Sequence, residues 1–161
     1  MTATAPKYRV LVVDDNQDAA TSVSELLDLA GFEVRTYFSG ASALAGLGGF
    51  VPDACVLDIA MPGMDGYELA RKLRERFPDR PPVFATLTAF DHDTHLEKAV
   101  DAGFDLQFTK PAPPMEVIKQ LREALQATPP PEDPAKPGRE GVLQSLLGRL
   151  KGLFTHKGKA K

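Results

Sequence analysis

Short apolar runs alternate with stretches in which apolar residues recur every three or four positions. The pattern repeats five times between residues 7 and 127. Residues 8–13 (YRVLVV) form a continuous, β-branched-rich run, as expected of a strand buried on both faces. A helix follows, capped by Asp18, with Val23, Leu26, Leu27 and Ala30 on one face and Gly31 stopping it. Glu33–Tyr37 is the second strand, and Ser39 opens a short Ala-rich helix that Gly48 and Gly49 end. Ala54–Leu57 is the third strand, followed by the turn-rich residues 61–66 (MPGMDG). Leu69, Ala70, Leu73 and Phe77 then stand at helical spacing over residues 67–76, closed by Pro78. Val83–Thr88 and Leu106–Thr109 complete the strands, with helices over about 94–102 and 113–126. Apolar strands separated by helices imply an α/β parallel sheet covered on both faces. Right-handed crossovers make it doubly wound.

Composition bounds this picture without altering it. Hydrophobic residues at 43% and charged residues at 25% are the balance of a globular chain. Cys55 is the single cysteine, so no internal disulfide forms and a reducing compartment is expected, with cytoplasmic localisation. The first seven residues hold no signal-like apolar run, and no stretch approaches a membrane span. Charge is unevenly placed. Residues 1–135 carry 12 Lys/Arg against 21 Asp/Glu, whereas residues 136–161 carry seven against one. Residues 128–138 (TPPPEDPAKPG) hold five prolines in eleven positions, the composition of a semi-rigid spacer. Four segments are therefore expected: a disordered N-terminus at 1–6, a domain at 7–127, a Pro-rich linker at 128–138 and a basic amphipathic tail at 139–161.

In an open parallel sheet, functional groups collect at the carboxyl ends of the strands. Those ends read Asp14 and Asp15 after the first strand, Asp58 after the third, Thr88 at the end of the fourth and Lys110 after the fifth. Crowded carboxylates favour a bound divalent cation or raised pKa values, and hard oxygen donors suit Mg²⁺. A carboxylate can also attack phosphorus to give an aspartyl phosphate, and Asp58, at a central strand, is best placed to do so. Thr88 and Lys110 would hold phosphoryl oxygens.

At these residues the chain resembles the response-regulator receiver family. The resemblance is carried by VLVVDDN (10–16), CVLDIAMPGMDGYEL (55–69), TLTA (86–89) and TKP (109–111). Thr88 and Lys110 follow Asp58 by 30 and 52 residues, spacings normal for such domains. The expected fold is flavodoxin-like, a five-stranded parallel sheet in the order 2-1-3-4-5 with five helices. The resemblance implies Asp58 as phosphoacceptor, and Mg²⁺ on Asp14, Asp15, Asp58 and the backbone carbonyl of Ala60. It also implies Thr88 as switch hydroxyl, Lys110 as phosphate contact and a cis Lys110–Pro111 bond. A histidine kinase or histidine phosphotransfer protein would be the donor, an output protein of unknown identity the target, and no nucleic acid a partner. Such a protein is no enzyme beyond its own phosphorylation and dephosphorylation. The sequence departs from the family at Gln107, where an aromatic switch residue is usual, and at Ala60 and Phe90, whose side chains cannot hydrogen-bond a water.

Three other readings compete with this one. A haloacid-dehalogenase-type phosphatase needs Asp-x-Asp after its first strand, and here Asp14 and Asp15 are adjacent. A flavodoxin-like cofactor binder cradles a phosphate in its first loop, where two aspartates would repel it. A degenerate receiver that binds partners without phosphorylation has only Gln107 in its favour. Cys55 reads as a core residue, and His92, His95 and His156 as solvated side chains. The roughly 35 residues after the domain are too few for a further winged-helix or enzymatic module, so a stand-alone receiver is expected. Residues 141–155 place Val142, Leu143, Leu146, Leu147, Leu150, Leu153 and Phe154 at i, i+3, i+4 spacing, with Arg149, Lys151, Lys157, Lys159 and Lys161 around and beyond them. Basic amphipathic segments of this kind bind membrane surfaces or partner grooves. Gly148 and Gly152 weaken the helix by roughly 1 kcal/mol each against Ala.

Overall fold

A computed structural model describes residues 7–89 and 98–127. The expectations for residues 1–6, for Phe90, His92 and His95, for the linker at 128–138 and for the tail at 139–161 lie outside the described residues. The chain divides into Met1–Arg122, which holds the sheet and the site, and Glu123–Lys161, of which only residues 123–127 are described.

Five parallel strands run β1 (Arg9–Val13), β2 (Glu33–Tyr37), β3 (Ala54–Leu57), β4 (Val83–Thr88) and β5 (Leu106–Thr109), in the spatial order β2-β1-β3-β4-β5. Between and after them lie α1 (Gln17–Leu29), α2 (Gly40–Gly46), α3 (Gly66–Arg76), α4 (described over 98–101) and α5 (Pro114–Ala127). The flavodoxin-like order expected from the sequence is the one observed. All four residues of β3 are buried, which is why the central strands read as unbroken apolar runs rather than alternating ones. Leu11, Val13, Cys55 and Leu57 pack with Ala43 of α2 and Leu47 just after it, Leu69, Ala70 and Leu73 of α3, and Ala99 of α4. Val12 and Val56 line a small enclosure on the other face with Ala19, Ala20 and Val23 of α1. Cys55 is fully buried, and burial pushes its thiol well above the ordinary value, which suits a core residue and not a nucleophile.

The helix starts differ from expectation. Asn16, not Asp18, caps α1: its side-chain oxygen accepts the Ala19 N–H at 3.1 Å, and Asp18 sits in the first turn. Asp65 caps α3 by accepting the Glu68 N–H at 2.8 Å, so the helix begins at Gly66, one residue before the expected start. Gly31 has φ 98°, the left-handed turn that ends α1.

A second device sits at the amino ends of the strands. The Asp53 carboxylate accepts the Arg9 N–H at 2.7 Å and pairs with the Arg80 guanidinium. The Asp53 N–H donates to Arg9 O at 2.7 Å, and its carbonyl accepts the Val83 N–H at 2.9 Å. One residue thus joins the starts of β1, β3 and β4, at the end opposite the acidic cluster.

Candidate functional site

Register decides what meets at the carboxyl edge. Val13 pairs with Leu57, so Asp14 and Asp58 leave adjacent strands at the same level, and the Asp58 N–H donates to Val13 O at 2.9 Å. The Asp14 N–H donates to Tyr37 O at 3.2 Å, tying this edge to the end of β2. Thr86 stands opposite Leu57 and Thr88 opposite Thr109, so Thr88 is the hydroxyl at the strand end beside Lys110. The Lys110 N–H donates to Thr88 O at 2.7 Å, and the Lys110–Pro111 bond is cis.

Carboxylate oxygens of Asp14, Asp15 and Asp58 lie within 4.8 Å of one another, Asp14 and Asp58 buried and Asp15 exposed. The Lys110 ammonium is 2.7 Å from Asp14 Oδ2 and 3.9 Å from Asp58 Oδ2. Burial, and after it repulsion from Asp14, pushes the Asp58 carboxyl up from 3.8 to about 7, while the Lys110 ammonium pulls it down. The structure thus brings Asp14, Asp15, Asp58 and Lys110 into one cluster, with Thr88 at the adjoining strand end. Ala60 is exposed two residues beyond Asp58, and Gln107 stands half-buried in β5 opposite Thr86.

Two contributors escaped the sequence reading. The Asn16 N–H donates to Asp14 Oδ1 at 3.0 Å, so the residue that caps α1 also fixes one oxygen of Asp14. Gly66 packs so closely under the loop after β3 that a Cβ there would run into the Asp58 carbonyl and Ile59 Cα. Its N–H donates to Ile59 O at 3.0 Å. The Asn16 role was hidden because Asp18 was an equally good cap by residue type. Gly66 looked like one turn residue among several.

The cluster fits a hard divalent cation. Three carboxylates with oxygens within 4.8 Å of one another supply the hard, charged donors that Mg²⁺ takes. The mutual repulsion that raises Asp58 is what such an ion would relieve. Among the described residues, no helix is long and apolar enough to cross a membrane.

Comparison with known proteins gives a consistent result. Residues 10–122 match the response regulator receiver domain family. The chain is 36% identical over 129 residues to the response regulator MprA of Mycobacterium sp. strain KMS, covering 80% of this chain and 55% of that protein. It is 37% identical over 128 residues to MprA of Mycobacterium tuberculosis H37Ra, covering 80% and 54%. The chain therefore spans about half the length of the curated relatives it matches. Among solved structures, a CheY-like receiver domain from Methanospirillum hungatei JF-1 superposes with a TM-score of 0.69 at 25% identity, covering 75% of this chain and 95% of that one. The BeF3-activated DrrB receiver domain superposes with a TM-score of 0.68 at 29% identity, covering 75% and 99%.

Proposed function

The chain belongs to the response-regulator receiver family, and from that premise we propose that it is a phosphorylation switch with Asp58 as its phosphoacceptor. The observation that carries this reading is the meeting of three carboxylates within 4.8 Å, two of them buried, beside the Lys110 ammonium. Asp14, Asp15, Asp58 and the Ala60 carbonyl would hold Mg²⁺. The ion, when bound, supplies charge neutralisation for the carboxylates and the incoming phosphoryl oxygens.

The protein's own residues do the rest. An Asp58 carboxylate oxygen forms a bond to phosphorus as the bond from phosphorus to the donor's leaving atom breaks. Asp58 must be ionised to attack, and with its carboxyl near 7 the metal-free site is only part-ionised at neutral pH. Lys110 favours the ionised form and then stands beside a phosphoryl oxygen; the Thr88 hydroxyl donates to another. The burial that raises Asp58 also strengthens these contacts by excluding water. The donor is a histidine kinase or a histidine phosphotransfer protein, and an output protein reads the change. The protein works in the cytoplasm, and the only reactions it catalyses are its own phosphorylation and dephosphorylation.

Acetyl phosphate with Mg²⁺ is expected to label the protein at Asp58, and beryllofluoride, the activator in the DrrB structure, to occupy the same residue. Asp58→Asn should abolish labelling, detected by intact-protein mass spectrometry, and EDTA should suppress it. Stoichiometric labelling of the Asn variant would overturn the assignment.

A further inference from the structure

Helix α3 touches the phosphoacceptor at its start and the close of α4 further along. Gly66 lies against the Asp58 carbonyl and Ile59 Cα with no room for a Cβ, and its N–H donates to Ile59 O at 3.0 Å. One residue on, the Tyr67 ring meets Phe104 edge-on, the centroids 6.0 Å apart and the planes at 83°. About two turns later the Arg74 guanidinium lies over the Phe84 ring, 5.0 Å from its centroid, and donates to Ala102 O at 2.6 Å. Phe104 is itself edge-on to Phe84 at 6.0 Å, so α3, β4 and the connection from α4 to β5 meet around two rings. The end of α4 accommodates both α3 side chains. Gly103 has φ 81°, its N–H donates to Val100 O and the Phe104 N–H to Ala99 O, both at 2.9 Å. This left-handed glycine stop is followed by a buried Phe104 and leaves the Ala102 carbonyl without a donor from its own helix. Arg74 supplies one, a cation at a helix carboxyl terminus, and a Cβ on Gly103 would run into its guanidinium.

We infer that α3 is the lever that carries the state of Asp58 to the C-terminal end of α4, with Tyr67 and Arg74 as its two points of attachment. The inference rests on the Asp58 reading for what moves the lever. A phosphoryl group on Asp58, with an ion beside it, displaces the loop that begins at Asp58. The Gly66 backbone, already in contact with that loop, has no slack to absorb the displacement. Leu69, Ala70 and Leu73 are fully buried, and close-packed side chains shift with their helix rather than deform continuously. The movement therefore reaches Tyr67 at once and Arg74 about 12 Å along the helix axis. Val100 is exposed on α4 just before the fastened end, so the surface around it changes with the state of Asp58.

The test reads the backbone amide shifts of Val100, Ala102 and Gly103 by NMR of the full chain in Mg²⁺, with and without beryllofluoride. In the parent these amides should move on adding beryllofluoride, together with those of Asp58 and Ile59. In Tyr67→Leu/Arg74→Met the α4 response should fall to about half or less, while Asp58 and Ile59 respond as in the parent. Arg74→Met alone keeps an unbranched stem over Phe84 and should lose part of the α4 response. Comparing two states of the same variant removes the direct effect of each substitution and of any loss of stability. A full α4 response in either variant overturns the inference. An Asp58 amide that ignores beryllofluoride in the parent counts against the phosphoacceptor instead, and a second arm then tests the lever by itself. Gly66→Ala pushes α3 from the Asp58 side with no ligand present. It should move the α4 amides of otherwise unaltered protein, and move them about half as far or less when Tyr67→Leu/Arg74→Met is also present. Equal movement in the two backgrounds, or none in the first, overturns the lever whatever Asp58 does.

Discussion

Asp14 spends both of its oxygens, one on the Asn16 N–H at 3.0 Å and one on the Lys110 ammonium at 2.7 Å. Asp58 stands 3.9 Å from the same ammonium, and its burial, with repulsion from Asp14 after it, holds its carboxyl near 7 against that ammonium's pull. Removing the ammonium therefore has a definite sign. In Lys110→Gln the one influence that lowers Asp58 disappears, so its midpoint should move further up, followed by carbon-13 NMR of the carboxyl in metal-free protein. An unchanged or lower midpoint would mean that Asp14 absorbs the ammonium's whole effect. Asn16 works through its neighbours instead. Asn16→Ala removes the α1 cap at a cost of about 1 kcal/mol in urea unfolding, while the backbone N–H on Asp14 survives the substitution. Asp58 labelling should accordingly persist in that variant, and a complete loss would show that the side chain itself is needed.

Four strands, Glu33–Tyr37, Ala54–Leu57, Val83–Thr88 and Leu106–Thr109, have the bounds the sequence suggested: β3 and β4 lie almost wholly in the core, while β2, with Glu33 exposed, is bounded by the Gly31 turn before it and by Ser39, the cap of α2, after it. The carboxyl ends of β1, β3 and β5 delivered Asp14, Asp58 and Lys110 to one edge, so chain order alone made the cluster legible. Helix starts were less so. Asn16 and Asp18 are both good caps by type, and only the extended backbone of Asn16, φ −79° and ψ 104°, decides between them. Contacts that join distant strands left no local trace: Asp53 meets Arg9 across 44 residues, and nothing in the sequence near Asp53 announces it. Two element-scale tests separate scaffold from site. Asp53→Ala leaves the Arg9 N–H without its side-chain acceptor and should cost about 1–3 kcal/mol with Asp58 labelling intact. Gly66→Ala forces the start of α3 away from the Asp58 carbonyl. It should cost about 1–3 kcal/mol and also slow labelling, since the loop after β3 has to shift. Equal labelling by the Gly66 variant and its parent would show that the loop can yield without moving Asp58.

At the scale of the whole molecule the acidic edge sets stability against function. A folded-state carboxyl near 7, against 3.8 when unperturbed, means that the native protein keeps a proton the unfolded chain has already released. The stabilising contribution of this group is therefore full below about pH 4, is lost as pH rises to about 7, and stays lost above that. Discounted for solvent screening, the loss is on the order of 1–3 kcal/mol. Asp58→Asn has no proton to lose, so it should be more stable than the parent by that amount at pH 8 and by much less at pH 4, measured by urea unfolding without metal. Comparison with the Asn variant cancels the slopes contributed by other titrating groups. Mg²⁺ should act in the opposite direction to the ionised Asp58. At ten times its dissociation constant it should restore about 1.4 kcal/mol to the parent at pH 8. It should have little effect at pH 4, where a proton occupies Asp58, and little on the Asn variant, which has lost a charged ligand. If the parent and the Asn variant differ equally at the two pH values, Asp58 does not carry the strain. If Mg²⁺ stabilises both to the same extent, the ion is held elsewhere than at this edge.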